Sequence, residues 1–468
     1  MMKLNKILLY CCFAVLLYCL NRQSVLAANN KVGIHILETT EAERAAELVN
    51  SQGGDWGYVT IVLREDDLDR EKWQQFFNDC RQRHLIPIVR LATKPEASGC
   101  WRKPVDLDKW VDFLHSLNWP VKRQIVVIFN EPNHAREWGG EIDPAEYAWR
   151  LKEISRLFKK KNENFFILPA GLDQAADGRN GTMREEVFLR EMIVAEPEIF
   201  SLIDGWNSHS YPNHGFIGRP DDIGRATVRG YNWETDLIKS LSALSSLSCL
   251  DNIYITETNW PSGKGYYNEE TAADYFLQAL EIWQADGRVK AVTPFVLNYP
   301  QPPFTQFSWL KEDGSPLEKY QRVLGVSKEK GEPEQVESYQ VVEIGLGQIL
   351  PTKQLVKGWV KIKNTGQWIM GEREDFTLPR NYFTIGSQGP QAIQPRRLDT
   401  LATSVKPGQE VTLEFTVETG TESAECQLDF DGQKYPVYVF KPFELKNEKV
   451  GIFQQLKSWL KFRVLKRN

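Results

Sequence analysis

The stretch Ile125-Val126-Val127-Ile128-Phe129-Asn130-Glu131-Pro132-Asn133 decides the fold. Its apolar, mostly β-branched run breaks off abruptly at Asn-Glu-Pro. A short apolar run without alternation reads as a strand covered on both faces. Proline has no N–H for a ladder, so pairing stops just after Glu131 and leaves that side chain at a strand-to-loop junction. The segment Ile253-Tyr254-Ile255-Thr256-Glu257-Thr258-Asn259-Trp260-Pro261 repeats the design. Two acids at the ends of two buried strands imply a paired-carboxylate site.

Outward from these strands, the chain alternates apolar strand-like runs and amphipathic helical ones. Strands are expected over 32–37, 58–63, 85–91, 125–129, 165–172, 203–209, 253–257 and 289–297. Helices are expected over 41–52, 70–83, 106–117, 144–160, 184–195, 234–247, 269–286 and 316–324. Eight strand–helix units over 29–327 match the count and size of a (β/α)8 TIM barrel. The alternative is a doubly wound open sheet, which would usually carry a Gly-rich phosphate loop after an early strand; the sequence has none.

The charged, Pro/Gly-bearing segment 328–335 reads as a linker. Past it the period changes to two. Glu410-Val411-Thr412-Leu413-Glu414-Phe415-Thr416-Val417 alternates strictly, and turns at Asn364-Thr365-Gly366, Pro407-Gly408 and Asp431-Gly432 separate such runs. Residues 336–445 are therefore expected to form a small all-β sandwich of immunoglobulin-like type, similar to modules appended to secreted glycosidases. In 446–468, Ile452, Phe453, Leu456, Trp459, Leu460 and Val464 recur at helical spacing among Lys and Arg. That basic amphipathic helix would suit either packing on the sandwich or attachment to an anionic membrane or wall polymer.

The 468 residues carry a net charge of -5, which argues against broad nucleic-acid binding. Fifteen Trp and sixteen Tyr fit either core filling or sugar-stacking platforms. Residues 1–28 read as a signal peptide: Lys3 and Lys6, an apolar run over 7–20, and a cut after Ala27 or Ala28. The run is short for a membrane span, although an uncleaved anchor is the alternative. The expected location is secreted or cell-surface. Cys11, Cys12 and Cys19 would leave with the leader. Cys80, Cys100, Cys249 and Cys426 have no zinc-ligand spacing, and Cys80 with Cys100 reads equally as a pair or as two thiols.

Barrel enzymes build their sites from the C-terminal ends of strands. Those ends give His35, Arg64, Arg90, Asn130-Glu131, Asp173, His209-Ser210-Tyr211, Glu257 and Asn298. No strand ends in a Schiff-base lysine, and no Gly-x-Ser-x-Gly elbow occurs. Two carboxylates facing each other across a cleft suit glycosidic cleavage, one protonated to donate to the leaving oxygen and one ionised to attack.

Asn130-Glu131-Pro132 after the fourth strand and Thr256-Glu257 after the seventh resemble clan A of the glycoside hydrolases. That clan holds cellulase-like, xylosidase-like and mannanase-like barrels. The resemblance covers the barrel region and implies Glu131 as acid/base, Glu257 as nucleophile and retention of configuration. It implies that Asn130 bonds the sugar 2-hydroxyl, that Tyr211 bonds the nucleophile with His209 nearby, and that Arg64 or Arg90 supports the nucleophile. It implies no metal or organic cofactor and a poly- or oligosaccharide partner. Many members end strand eight in a Trp platform. Here Phe295-Val296-Leu297-Asn298-Tyr299 stands there, and Trp260 or Trp309 is the candidate substitute. Trp138, like Trp260, is placed in a loop. A reading of another class is a non-catalytic cell-surface sugar-binding protein on the same barrel; a metal-dependent hydrolase is a third.

Overall fold

The computed structural model describes residues 29–371, 404–430 and 432–442, with the backbone of 385–388 and 393–398. The expected leader 1–28 and the tail helix 446–468 lie outside the described residues. The chain divides into two compact units, one ending at Glu337 and one beginning at Ser338.

The first unit is α/β with parallel strands. β1 (Gly33–His35), β2 (Gly57–Arg64), β3 (Leu85–Ala92), β4 (Gln124–Ile128) and β5 (Phe165–Pro169) form one sheet in sequence order. β6 (Trp206–Ser208), β7 (Ile253–Ile255) and β8 (Val289–Val292) form another. Single parallel bridges join the two sheets at both sides, Val32 to Val292 and Asp173 to His209. Tyr58, Ile88, Val127, Leu168, Tyr254 and Ala291, drawn from both sheets, share one buried cluster. A larger core lies between the strands and their helices.

The helices are α1 (Ala42–Val49), α2 (Arg70–Gln82), α3 (Asp108–His115), α4 (Pro144–Lys161), α5 (Glu185–Ala195), α6 (Gly230–Leu241), α7 (Glu269–Ala285) and α8 (Glu318–Leu324). Local chemistry sets several starts. Asp69 accepts from the N–H groups of Glu71 and Lys72, Asp143 caps α4 ahead of Pro144, and Asn268 accepts from Thr271. None of the helices among the described residues is long and apolar enough to cross a membrane.

Three elements depart furthest from expectation. Strand 203–209 shrinks to β6 because the Asp204 side chain and N–H occupy the backbone of Ile167. Strand 289–297 stops at Val292: Pro294 cannot donate to a ladder, and the chain instead bonds alternately to His35 and Thr258. The helix over 234–247 is displaced to α6. It begins at Gly230, where a Cβ would lie 1.8 Å from Gln174 Oε1. It ends early because the Ser240 and Ser242 hydroxyls take backbone partners of their own.

Segment 328–335 is fastened to the first unit. Lys328 Nζ donates to the carbonyls of Val323 and Val326, and the Lys122 N–H donates to the Glu334 carbonyl. In the second unit, β10 (Ile349–Pro351), β16 (Gln433–Phe440), β15 (Ala424–Phe430) and β12 (Ile385–Gln388) form one sheet. The other contains β13 (Ile393–Leu398), β14 (Glu410–Thr419), β11 (Leu355–Asn364) and β9 (Tyr339–Gly345). Val360, Phe415, Leu428 and Val437 bring the two sheets into one core. All four described cysteines are free, Cys80 and Cys100 among them.

Candidate active site

β4 is buried along its whole length, and the chain turns sharply as it leaves. Phe129 and Glu131 have φ of 69° and 32°, values costly for residues with a Cβ and found where surrounding structure enforces them. The enforcing contacts are visible. The Glu131 N–H donates to the Gly171 carbonyl at 3.1 Å, and the Glu131 carbonyl accepts from the His134 N–H at 2.9 Å. Pro132 follows, so no ladder competes with this turn. The result aims the Glu131 carboxyl at His209, whose Nδ1 lies 2.9 Å from Oε1.

His209 is buried beyond β6, and a side chain on Gly171 would exclude it: a Cβ there would sit 2.1 Å from His209 Cδ2. The same Nδ1 is 3.9 Å from Oε2 of Glu257. Glu257 leaves the end of β7 almost buried. The Arg90 guanidinium, from β3, is ion-paired with its Oε1, and the Tyr211 hydroxyl donates to Oε2 at 3.1 Å. One oxygen of Glu131, one of Glu257 and a His209 ring nitrogen lie within 4.8 Å of one another. Glu131, Glu257, Arg90 and Tyr211 line a cavity of about 960 Å³.

The two acids have different surroundings. Burial alone would raise the Glu257 carboxyl, but His209 and Arg90 hold it down at about 2. Burial disfavours charge on His209, yet the Glu257 charge and the bond to Glu131 outweigh it and raise the ring above its ordinary value. Burial and the Glu257 charge drive the Tyr211 phenol well up, so it stays a donor. Arg90 also donates to Asn130 Oδ1 at 2.7 Å, which fixes the amide beside the pair.

Three clustered donors of this kind are a spacing a metal ion could use. Here His209 Nδ1 is committed to Glu131 and the Arg90 cation occupies Glu257, so the chain supplies its own countercharge and a divalent ion would have to displace both.

The structure brings together Glu131, Glu257, Asn130, Arg90, His209 and Tyr211. Between the two arginines the placement is decided: Arg64 lines the cavity, but its Nε bonds Asp66 at 2.9 Å in a half-exposed pair. His35 lies fully buried behind the site, edge-on to Phe295, and burial followed by Arg90 drives its ring down to about 3. Trp260 is not a platform. Its ring is fully buried against Tyr275 and its indole N–H donates to the Gly218 carbonyl. Trp309 is equally buried. Asn298 does not line the cavity, because the chain has left strand geometry and presents Phe295 and Tyr299 instead.

Several lining residues were not anticipated as site residues. Phe216, Phe304 and Phe307 join Phe295 and Tyr299 in an aromatic wall. His134 Nε2 is 2.8 Å from Asp173 Oδ2. Glu137 lies in a 3-10 turn, Ala135–Glu137, anchored by the buried Trp138. Only the carboxyl of Glu137 offered a sequence signal, and its distance from any strand end hid it.

No family profile and no curated protein matches the chain. Solved structures do. A family 39 glycoside hydrolase from Bacteroides cellulosilyticus WH2 aligns at 15% identity and TM-score 0.46, covering 83% of this chain and 81% of that one. A monomeric β-xylosidase from Caulobacter crescentus CB15 aligns at 12% and 0.45, covering 84% and 98%. A GH128 (subgroup II) endo-β-1,3-glucanase from Sorangium cellulosum aligns at 12% and 0.42, covering 63% and 98%. These scores fall below 0.5, and the functional reading rests on the site itself.

The ion pair on Glu257 has a consequence for stability. Its folded value, about 2, lies below the ordinary 4.5, so the stability it contributes is complete above 4.5 and is lost as pH falls through about 2. The thermal midpoint of the wild type should therefore drop more steeply between these pH values than that of Glu257→Gln. Parallel midpoint-versus-pH curves would show that the carboxylate is not held ionised.

Proposed function

We propose that this protein is a retaining glycoside hydrolase of clan A type, acting on a β-linked poly- or oligosaccharide. The observation that carries the reading is the pair Glu131 and Glu257, whose oxygens approach within 4.8 Å in one cavity while Arg90 and Tyr211 hold only Glu257. Retaining pairs stand about 5–5.5 Å apart, carboxyl to carboxyl, which leaves no room for a water between the second carboxylate and the sugar, whereas inverting pairs stand roughly 6.5–9.5 Å apart.

In this reading Glu131 protonates the leaving oxygen as Glu257 attacks the anomeric carbon. The glycosyl–enzyme ester then yields to a water that Glu131 deprotonates. Asn130, held by Arg90, faces the sugar, and Tyr211 and Arg90 keep the nucleophile oriented. The two sheets, bridged at both sides around a shared core, are read as a closed (β/α)8 barrel, and the second unit as an immunoglobulin-like sandwich. The leader over 1–28 supports export to the surface or medium, and the basic tail supports contact with an anionic membrane or wall polymer.

The test is stereochemical. An array of β-glycosides identifies a substrate, and proton NMR follows the first-formed sugar. The β-anomer should appear first and mutarotate later. First appearance of the α-anomer would overturn the reading. Binding of glycans with no hydrolysis across the array would favour the non-catalytic alternative.

A further inference from the structure

A lysine lies buried behind the site, and the reaction as described leaves it unused. Lys319, the second residue of α8, is 1% exposed and has no ion-pair partner among the described residues. Burial without a counterion disfavours an ammonium, and so does the first turn of a helix. Its bonds show what holds it there. Nζ donates to Asn259 Oδ1 at 3.0 Å and to the Trp260 carbonyl at 2.5 Å. These acceptors stand two and three residues past Glu257, and they reach the aromatic wall of the cavity. An ammonium can only donate, so the Asn259 amide turns its oxygen to Nζ and its nitrogen away. Asn259 Nδ2 donates to the Phe295 carbonyl at 2.6 Å and to the Phe307 carbonyl at 2.9 Å. The Phe295 N–H is held as well, by the Thr258 carbonyl at 3.0 Å. The Trp260 indole N–H donates at 2.8 Å to the Gly218 carbonyl, two residues beyond Phe216. Phe216 and Phe295 stand edge-on to Phe307, and all three line the cavity.

We propose, resting on the glycosidase reading above, that Lys319 is a positioning residue for substrate binding: through Asn259 and Trp260 it sets the aromatic wall at its place beside Glu257. The wall is the apolar side of the cavity, and a pyranose presents an apolar face that lies flat on aromatic rings. A fully bonded buried polar group makes the arrangement around it rigid, which is what a wall drawn from separate loops requires. Without the lysine, nothing in the contacts above favours one orientation of the Asn259 amide over its reverse, and the grip on Phe295 and Phe307 depends on that orientation. Glu257 itself does not rely on this anchor, because Arg90 and Tyr211 hold its carboxylate from other strands. Burial lowers the Lys319 ammonium to about 7, with Glu269 acting in the opposite sense. The neutral amine still carries two N–H groups for its two acceptors, so the anchor survives loss of the proton.

The experiment measures KM and kcat for wild type, Lys319→Met, Asn259→Leu and the double variant on a glycoside that the wild type hydrolyses. Thermal midpoints show which variants are folded. Methionine keeps the apolar stem and removes the donor; leucine keeps the bulk of the amide and removes its bonds. Each single variant should raise KM about tenfold and leave kcat within about threefold, the pattern of lost binding rather than of a lost transition-state contact. Both act through one contact, so the double variant should be no worse than the poorer single one. Should Lys319→Met fail to fold, Asn259→Leu alone must show the split between KM and kcat. An unchanged KM in a folded variant, a loss confined to kcat, or KM effects that multiply in the double variant would overturn the inference. Absence of hydrolysis by wild type is a separate failure, that of the glycosidase reading; the dissociation constant of a bound glycan then takes the place of KM in the same comparison.

Discussion

Glu257→Ala is expected to lower kcat/KM for an aryl β-glycoside by roughly 10⁴- to 10⁶-fold, the scale on which removal of a covalent nucleophile acts. Added azide should restore much of the rate. The reason lies in what surrounds the lost carboxylate. Arg90 and the Tyr211 hydroxyl would remain, two donors arranged for an anion on the same face of the sugar. A small anion entering there attacks from the side that Glu257 occupied, so the product should be the α-glycosyl azide, inverted relative to the substrate. Leaving Arg90 without its partner will also destabilise the fold, by about 3–5 kcal/mol if the pair behaves as buried ion pairs do. Glu257→Gln, which keeps an acceptor for Arg90, separates that cost from the chemistry: it should fold closer to wild type and remain equally inactive. Recovery of activity without glycosyl azide, or a Gln variant with near wild-type turnover, would remove Glu257 from the mechanism.

The sequence makes β1 to β5 and the placement of Glu131 and Glu257 legible for one physical reason. A strand covered on both faces is written as an apolar run, and the first polar residue after it marks where the cover ends. The same logic picks out Tyr211 and His209 beyond β6, although β6 itself is shorter than its apolar character suggests. It fails where side chains rather than strands decide the path. Trp260 looks available because it follows Glu257 by three residues, yet the loop buries it and gives its N–H to Gly218. Asn298 counts as a strand end only if β8 continues past Pro294, and that proline prevents it. Arg64 is the last residue of β2, whereas Arg90 lies two residues before the end of β3, opposite Val62. Their close partners differ accordingly, Asp66 for one and Glu257 for the other. Glu137 and the aromatic wall come from loops, whose reversal depends on backbone bonds that no residue pattern announces.

Glu131→Gln provides the complementary result, because its effect should depend on the leaving group. Removing a general acid costs about 10²- to 10⁴-fold where the departing oxygen must be protonated. For an unactivated oligosaccharide or alkyl glycoside the full loss is expected. For a 2,4-dinitrophenyl glycoside, whose phenolate leaves unaided, formation of the glycosyl–enzyme should proceed at close to the wild-type rate. The second step still lacks its base, so a burst of dinitrophenolate should precede a slow steady state, and azide should accelerate that steady state and yield a retained β-glycosyl azide. Here the structure predicts a specific contrast: azide enters on the Glu131 side in this variant and on the Glu257 side in the other, so the two variants should give opposite anomers from the same nucleophile. The amide can still accept a hydrogen bond from His209 Nδ1, at 2.9 Å in the wild type, so the variant leaves no buried donor without a partner there. Equal losses for good and poor leaving groups, or the same azide anomer from both variants, would mean that the two carboxylates do not divide the reaction as their surroundings indicate.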